Sequence, residues 1–496
     1  MGKKYIIALD EGTTSARALV YDVESERIVG VVNKPFRQIY PRAGWVEHDP
    51  DEIWSEQLAA LLEVKTLLEI NFNDVYALGI TNQRETVVVW NKETGEPIYN
   101  AIVWQCRRTS EYCSSLIDAG YSGMIKEKTG LKIDAYFSAT KIKWILDNVD
   151  GARKLADEGK LCAGTIDTFL IWKLTAGEKF VTDYSNASRT LLFNIHTLKW
   201  DEELLSLFGI PESMLPKVVD SSSNIGKTAI FGDEIVIGGI VGDQQSALFG
   251  QACFEEGMAK NTYGTGCFML LNTGKKYIPT KELLTTIAWG IDGNVTYALE
   301  GSIFNAGSVV QWMRDEVKLI EKASDTEEMC LSVPDTDGVY FVPAFTGLGA
   351  PYWNMDARGT LIGITRGINK NHIVRAGMES MAYNTKAIFG RMLEESGITL
   401  KELRCDGGVS KDNFLMQFQA DMLGCSTNRQ QSTECTAMGA VYLAGLATGA
   451  FSSLEEISNK VTLIKRFTPS MPKDEVERRY NGWKKAVKVA EYASKL

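Results

Sequence analysis

The sequence of 496 residues has little histidine and no paired cysteines. Its three histidines, His48, His196 and His372, leave few candidates for imidazole acid–base chemistry. We therefore expect any general base to be a carboxylate. The nine cysteines are scattered singly and form no C-x-x-C pair, which excludes the usual zinc and dithiol spacings and indicates reduced thiols.

Long hydrophobic runs and an excess of positive charge are also absent. No apolar run approaches the roughly 18 residues of a membrane span, and the run at 5–9 is too short for a secretory signal. We therefore expect a cytoplasmic protein without a membrane span. The net charge of −10 and the isoelectric point of about 5.2 argue against a nucleic-acid partner.

The standard nucleotide-binding motifs are missing as well. The nearest match to a P-loop is Gly226-Lys227-Thr228, but Ser221 occupies the position where the motif requires glycine. The G-x-G-x-x-G dinucleotide pattern does not occur either. A bound nucleotide would therefore need a different arrangement of backbone N–H groups and hydroxyls.

Such an arrangement is present near the N-terminus. The apolar residues 5–9 end at Asp10, and a second apolar run, 18–21, follows a short polar segment. This pattern predicts a strand, a tight turn and a second strand. Asp10 can hold a divalent cation, and Arg17 adds positive charge. The turn also contains three hydroxyl donors for phosphate oxygens, Thr13, Thr14 and Ser15.

The same pattern recurs in the middle of the chain. Residues 258–263, 264–266 and 267–271 predict a strand, a glycine turn and a returning strand. Short strands also alternate with helical stretches, which favours an α/β architecture. We interpret the repeat as a weak duplication, with an N-terminal domain over 1–250 and a C-terminal domain over 251–496. A cleft between the domains would face one phosphate turn towards the other.

Asp243 is the candidate for chemistry in this cleft. It lies between a predicted strand that ends at Val241 and a predicted helix over 244–253. Two interpretations stay open: the residue caps the helix, or it serves as a general base. A carboxylate base suits phosphoryl transfer, because little proton abstraction is needed before the loose transition state.

A polar run at 81–86 separates two apolar strands and contains Arg84 and Glu85. The two side chains would face opposite sides of a regular strand, whereas at a strand end they could converge on one small polar ligand. A surface ion pair is the alternative. Hydroxyl groups both donate and accept, so this pair suits a polyol. Three aromatic residues either belong to the core or pack on the carbon edge of such a ligand: Trp104, Tyr136 and Phe268.

Together these residues resemble the FGGY carbohydrate kinases over essentially the full length of the chain. The first family signature is present as 136–138, Lys141, Trp144 and 147–148. The second signature departs from the usual pattern at Gly377. The other tracts that carry the resemblance are 8–15, 44–49, 81–86, 100–108, 134–136, 192–196, 242–245, 263–268 and 346–353.

The resemblance implies two actin-like (ribonuclease H-like) ATPase domains with the active site in the cleft between them. The tracts 83–85 and 104–106 are similar to those of family members that act on glycerol. ATP and Mg²⁺ are the implied cofactors, with Asp243 as the base and with Asp10 and Asp243 facing the metal. The implied glycerol ligands are Arg84, Glu85, Trp104, Tyr136, Asp243, Gln244 and Phe268.

The resemblance also implies a set of nucleotide ligands: Thr13, Thr14, Ser15, Arg17, Thr265, Gly307, Gln311, Gly408 and Asp412. Gly408 has no side chain, so a flat base or a ribose could approach its backbone closely. Relatives usually carry asparagine at the position of Asp412. We expect the acidic group there to weaken or reshape the nucleotide contacts.

The expected activity is ATP-dependent phosphorylation of glycerol to sn-glycerol 3-phosphate with release of ADP. We expect a homo-oligomer, either a dimer or a tetramer. Two alternatives remain open at this point. One is a kinase of the same family that acts on another small polyol or on a ketose. The other is a non-enzymatic actin-like ATPase, which would have no use for the polyol-binding groups.

Overall fold

The structure, a computed structural model, describes residues 2–228, 230–232 and 234–496. Within these ranges the strands are β1 Tyr5–Glu11, β2 Ser15–Asp22, β3 Arg27–Pro35, β4 Glu47–His48, β5 Val75–Asn82, β6 Val87–Asn91, β7 Ala101–Ile102, β8 Leu161–Thr165, β9 Val181–Asp183, β10 Phe193–Asn194, β11 Lys199–Trp200, β12 Lys217–Val219, β13 Ser222–Thr228, β14 Ile235–Gly242, β15 Met258–Tyr263, β16 Cys267–Gly274, β17 Leu284–Ile291, β18 Asn294–Ile303, β19 Tyr340–Val342, β20 Thr360–Ile362, β21 Glu402–Asp406, β22 Ser426–Gln430 and β23 Leu463–Phe467.

The α-helices in the described ranges are α1 Pro50–Leu67, α2 Ser110–Asp118, α3 Ser122–Thr129, α4 Ser138–Asn148, α5 Ala152–Asp157, α6 Ile166–Leu174, α7 Tyr184–Ala187, α8 Glu202–Phe208, α9 Asp243–Gly250, α10 Gly307–Asp315, α11 Asp325–Leu331, α12 Lys370–Ser396, α13 Asn413–Leu423, α14 Cys435–Thr448, α15 Leu454–Lys460 and α16 Lys473–Ala493. Short 3₁₀ helices span Phe72–Asp74, Glu212–Met214 and Gly408–Lys411. None of these helices is both long enough and apolar enough to cross a membrane.

One sheet of 13 strands passes through both halves of the chain, in the order β23-β22-β21-β15-β16-β18-β17-β13-β14-β5-β1-β2-β3. The hairpin β1–β2 is antiparallel, and β1 also pairs in parallel with β5. In the second half the hairpin β15–β16 is antiparallel, and β15 pairs in parallel with β21. The two predicted hairpins are therefore confirmed, each at the start of a similar set of strands.

The strand directions explain where a site can form. Following the pairings along the sheet, β1, β5, β14, β18, β15 and β21 all run in one direction. Their carboxyl ends consequently meet at one edge of the sheet, which is the edge where ligands bind in open α/β folds. The segments that follow these ends are the two hairpin turns, residues 83–85, Asp243, residues 304–307 and residues 407–408.

Two helices cross closely between the halves. A Cβ atom on Gly250 of α9 would lie 2.0 Å from the carbonyl oxygen of Cys435, and one on Gly439 of α14 would lie 2.0 Å from that of Ser246. Only glycine allows this approach of the two backbones. The crossing fixes α9, and with it Asp243, against an element from the other half of the chain.

A shared core supports this arrangement. Ile6, Ala77 and Val241 from the first half pack in one buried cluster with Leu270 and Ala298 from the second. The predicted strand and helix that flank Asp243 are also confirmed, with their ends shifted by one to three residues. The helix predicted over 244–253, for example, spans Asp243–Gly250. Such shifts are expected, because the ends of an element are less well defined by the sequence than its existence and type.

Candidate active site

The first phosphate turn joins β1 to β2 at the carboxyl edge of the sheet. Gly12 N donates to the carbonyl oxygen of Ser15 at 3.0 Å, which closes the turn. Gln38 Nε2 donates to the carbonyl oxygen of Thr13 at 3.1 Å, and its own Oε1 lies 2.9 Å from Nε2 of the buried His48. The turn is therefore held in place by side chains, while Thr13 and Ser15 are half-buried and Thr14 is exposed.

The second phosphate turn, 264–266, is held by the start of α10. Gly307 N donates to the carbonyl oxygen of Gly264 at 3.0 Å, and Ser308 N donates to that of Thr265 at 3.1 Å. A Cβ atom on Gly307 would lie 2.5 Å from the Gly264 oxygen, so glycine is required there. Gln311 lies one turn further along α10 and is exposed. The structure thus brings Thr265, Gly307 and Gln311 together.

A third glycine turn, at residues 407–408, lies against Tyr263, directly before the second phosphate turn. Gly407 has a φ of 88°, and a Cβ atom there would lie 2.3 Å from the carbonyl oxygen of Tyr263. A Cβ atom on Gly408, by contrast, would meet no atom within 4 Å. Gly408 therefore faces open space beside the second turn, which is consistent with a backbone surface for a base or ribose.

Arg17 has a partner that the sequence analysis missed. Its Nη1 lies 2.5 Å from Oε2 of Glu434 and 3.9 Å from Oδ2 of Asp10. Glu434 directly precedes α14, so it comes from the far end of the chain. No local pattern connects it with the first turn.

Asp412 has a role that the sequence analysis did not include. Its Oδ1 accepts from Leu415 N at 2.9 Å, as the N-cap of α13, and its Oδ2 accepts from Thr326 Oγ1 at 2.7 Å. Both oxygens are therefore engaged within the protein. Its assignment as a nucleotide ligand stays a prediction, which these bonds oppose.

Arg84 and Glu85 lie close together just after the end of a strand. They follow β5, and Glu85 has a φ of 61°, so the backbone leaves the strand geometry there. Arg84 Nε lies 3.3 Å from Oδ1 of Asp243 and 3.7 Å from Oε1 of Glu85. Arg84 Nη2 donates to the hydroxyl of Tyr136 at 3.2 Å. The alternative of a surface pair is wrong, because both side chains are at most 2% exposed.

Two further charged residues complete a buried network. Arg84 Nη1 lies 2.5 Å from Oε2 of Glu300. Arg189 lies between the two acids, with Nε 2.6 Å from Glu85 Oε1 and Nη2 2.9 Å from Glu300 Oε1. Burial opposes ionisation of Glu300, yet the two guanidinium groups outweigh it and lower its pKa to about 2. Sequence reasoning missed both residues. For Glu300 the only signal was a charged residue inside the strand β18.

The three predicted aromatic residues lie together beside this network. The ring of Trp104 is 5.6 Å from that of Tyr136 and 6.5 Å from that of Phe268, both edge to face. Trp104 Nε1 donates to Thr13 Oγ1 at 3.0 Å. This bond links the aromatic wall to the first phosphate turn.

Asp243 lies at the centre of these groups. Gly242 occupies the N-cap position of α9 and Asp243 is the first helical residue, so the capping interpretation is wrong. Its Oδ1 accepts from Gln244 N at 2.8 Å, and its Oδ2 accepts from Gln244 Nε2 at 3.1 Å. The carboxylate is thus held by Arg84 and Gln244 while its side chain remains 28% exposed.

The acidic groups at the cleft fit a magnesium ion held with a nucleotide. Burial raises the pKa of Asp10 to about 6; Arg17 opposes this rise, and the charges of Asp243 and Glu434 add to it. Among the described residues no cluster of three or more histidine, cysteine or acidic side chains could hold a metal alone. Mg²⁺ commonly takes one or two carboxylates and completes its shell with phosphate oxygens and water. Asp10 and Asp243 stay the predicted pair.

The architecture is a two-domain mixed α/β fold, with one sheet running through both halves of the chain. It matches the structure of a xylulose kinase from Lactobacillus acidophilus over 99% of this chain and 98% of that one, with a TM-score of 0.86 and 23% identity. The description "FGGY family of carbohydrate kinases, N-terminal domain" matches residues 5–250, and the corresponding C-terminal description matches residues 259–448. The chain belongs to the FGGY family of carbohydrate kinases, and the predicted fold class and resemblance are confirmed.

The chain is also similar to individual members of the family. It is 59% identical to the glycerol kinase of Caldanaerobacter subterraneus subsp. tengcongensis, over 98% of each chain. It is 59% identical to glycerol kinase 2 of Thermotoga maritima, over 98% of each chain. Among solved structures it resembles Plasmodium falciparum glycerol kinase with ADP, with a TM-score of 0.94 and 38% identity over 99% of each chain.

Proposed function

We propose that this chain transfers the γ-phosphoryl group of ATP to glycerol and releases sn-glycerol 3-phosphate and ADP. The single observation that carries the proposal is the position of Asp243. Its carboxylate lies 3.3 Å from Arg84, beside the polar and aromatic groups at the sheet edge that also bears both phosphate turns. The relatives at 59% identity, each named a glycerol kinase, support the same substrate.

The polyol site combines donors, acceptors and an apolar wall. Arg84 donates to glycerol hydroxyls, while Glu85 and Asp243 accept from them. Tyr136 and Gln244 contribute further polar contacts. Trp104 and Phe268 pack on the carbon edge. The buried network around Arg84 and Glu85 leaves both groups fixed before the ligand arrives, which lowers the entropy that binding must overcome.

Phosphoryl transfer then needs little covalent work from the protein. Asp243 accepts the proton of the terminal hydroxyl as that oxygen attacks the γ-phosphorus in line with the departing ADP. The nucleotide set named above, with Asp412 as its least supported member, holds the phosphates, ribose and base. When bound, Mg²⁺ at Asp10 and Asp243 neutralises phosphate charge. Closure of the cleft excludes water that would otherwise accept the phosphoryl group.

The proposal includes how the chain is organised. The polyol site and first turn belong to a domain over 1–250, and the second turn and much of the nucleotide site to a domain over 251–496. The protein works in the cytoplasm as a homo-oligomer, either a dimer or a tetramer. Analytical ultracentrifugation of the purified chain tests the last statement directly.

A substrate panel tests the activity. Glycerol, xylulose and gluconate are each added to the protein with ATP and magnesium, and ADP release is measured with coupling enzymes. We expect glycerol to give the highest kcat/KM and a product identified as sn-glycerol 3-phosphate. Faster ADP release with xylulose or gluconate would show that this compound, and not glycerol, is the preferred substrate. ATP-driven polymers on sedimentation, with no substrate-stimulated ADP release, would instead support a non-enzymatic actin-like ATPase.

A further inference from the structure

Lys260 is a buried lysine that the mechanism above does not use. It lies on β15, two residues before the end of its hydrogen-bonded pairing with β21, and is 0% exposed. Its Nζ donates to Gln244 Oε1 at 2.6 Å and to Thr262 Oγ1 at 3.0 Å. Gln244 Nε2 in turn donates to Asp243 Oδ2 at 3.1 Å. A continuous chain of hydrogen bonds therefore connects Lys260 to the proposed base.

The chemistry of the three groups fixes the direction of this chain. An ammonium group only donates, and an ionised carboxylate only accepts. The amide of Gln244 between them has one orientation that satisfies both, with Oε1 towards Lys260 and Nε2 towards Asp243. If the ammonium were absent, the amide could rotate and place Oε1 against the carboxylate, where two acceptors would repel.

The surroundings of Lys260 keep this ammonium charged. Burial lowers its pKa to about 8, the nearby carboxylates of Asp406, Asp243 and Glu300 oppose the fall, and Arg84 adds to it. At neutral pH the group is therefore mostly protonated. Asp406 pairs with Thr262 across the strands β21 and β15, two positions along from Lys260.

We propose that Lys260 is a positioning residue for phosphoryl transfer: it sets the orientation of the Gln244 amide and, through that amide, the position of the Asp243 carboxylate. This inference rests on the proposed function, since Gln244 and Asp243 matter only if they contact the reacting polyol. Lys260 is fully buried, and its Nζ bonds Gln244 and Thr262, so we expect no direct contact with the substrate. Its effect is transmitted entirely through Gln244.

A double-mutant cycle tests whether the effect of Lys260 on Asp243 passes through Gln244. Glycerol-dependent ADP release is measured for the full chain, for Lys260→Met, for Gln244→Ala and for the double variant. We expect Lys260→Met to lower kcat/KM for glycerol by about 10- to 100-fold, as loss of outer-shell support does elsewhere, with the KM for ATP changed less than about twofold. The kcat/KM of the double variant should lie within about twofold of that of Gln244→Ala. Once Gln244 is removed, Lys260 has no remaining hydrogen-bonded connection to Asp243 to lose.

The outcomes separate the inference from the proposed function. If Gln244→Ala matches wild type, the proposed polyol site is misplaced. If Gln244→Ala loses activity while Lys260→Met does not, or if the two losses multiply, the Lys260 inference is wrong and the proposed function stands.

Two further variants control for an effect of Lys260→Met on folding. Lys386→Met removes another partly buried ammonium, which donates to the carbonyl oxygen of Met422, and should leave kcat/KM within about twofold of wild type. Lys260→Arg retains a charged donor in a different shape and should recover part, but not all, of the activity lost in Lys260→Met. If Lys260→Met does not fold, the same cycle is run with Lys260→Arg, whose effect should then vanish in the Gln244→Ala background.

Discussion

Arg84 Nη1 lies 2.5 Å from Glu300 Oε2, although 216 positions separate the two residues. The bond joins the segment after β5, in the first half of the chain, to β18 in the second. Arg189 Nη2 lies 2.9 Å from Oε1 of the same glutamate. The groups proposed to bind the polyol are therefore supported by a residue from the opposite half, and one carboxylate orients two arginines.

Glu300→Gln should destabilise the fold in a pH-dependent way. Breaking a buried ion pair by removing one partner costs about 3 to 5 kcal/mol, and we expect about 3 kcal/mol at neutral pH. Because the folded pKa of about 2 lies below the ordinary value of 4.5, this contribution is fully present above pH 4.5. It is lost as the pH falls from there towards about 2. Urea unfolding of both proteins at several pH values measures the difference.

Glu475→Gln is the matched control. The pKa of Glu475 is also lowered to about 2, chiefly by its bond with Arg478, but this pair lies at the surface. Solvent screening should limit the loss to less than about 1 kcal/mol. A stability difference for Glu300→Gln that stayed constant down to pH 2, or that was no larger than that of Glu475→Gln, would remove Glu300 as the charged centre of the network.

Asp243→Asn should separate catalysis from binding. Asparagine keeps the size of the side chain but cannot accept the hydroxyl proton, so we expect kcat to fall by about 10²- to 10⁴-fold. Isothermal titration calorimetry should show glycerol affinity within about threefold of wild type, since Arg84 and Glu85 remain in place. Asp201→Asn, which replaces one good N-cap of α8 by another, serves as the control. Near-wild-type turnover of Asp243→Asn would exclude this residue as the base.

The sequence was most informative where function depends on local pattern. Asp10 with its hydroxyl-rich turn, the glycine turn after Tyr263 and the pair Arg84–Glu85 each lie within a few residues of a recognisable strand end. Arg189, Glu300 and Lys260 could not be found in this way. Arg189 and Glu300 bond residues more than 100 positions away, which only the folded chain brings together. Lys260 bonds Gln244, 16 positions away on a different element. Asp412 is a different case: an aspartate two residues before the apolar run 414–416 is a helix-starting signal, whereas the family resemblance implied a nucleotide ligand at this position.

Glu434→Gln should strengthen nucleotide binding. If Arg17 contacts phosphate, Glu434 competes for the same guanidinium, 2.5 Å away. Both side chains are about one-third exposed, so the pair is worth at most about 1 kcal/mol, and we expect MgADP to bind up to about fivefold more tightly. Calorimetry should show this gain shrink at high salt, because screening weakens the competing pair.

Glu26→Gln is the control for this prediction, since it breaks a surface contact with Lys460 away from the cleft. It should leave MgADP affinity unchanged. Weaker MgADP binding by Glu434→Gln would show that Glu434 supports the nucleotide site instead of competing with it.

Asp412→Ala should reveal whether this carboxylate serves the fold or the nucleotide. Loss of an N-cap costs about 1 kcal/mol, and the bond from Thr326 is lost as well. We therefore expect unfolding in urea to show a loss of about 1 to 2 kcal/mol, with MgADP affinity changed less than about threefold. Asp412→Asn keeps the cap and should retain most of the stability. Asp49→Ala, which removes the equivalent cap from α1, calibrates the expected loss. A tenfold fall in MgADP affinity at unchanged stability would instead place Asp412 at the nucleotide, because a residue used only as a cap has no direct means of changing that affinity.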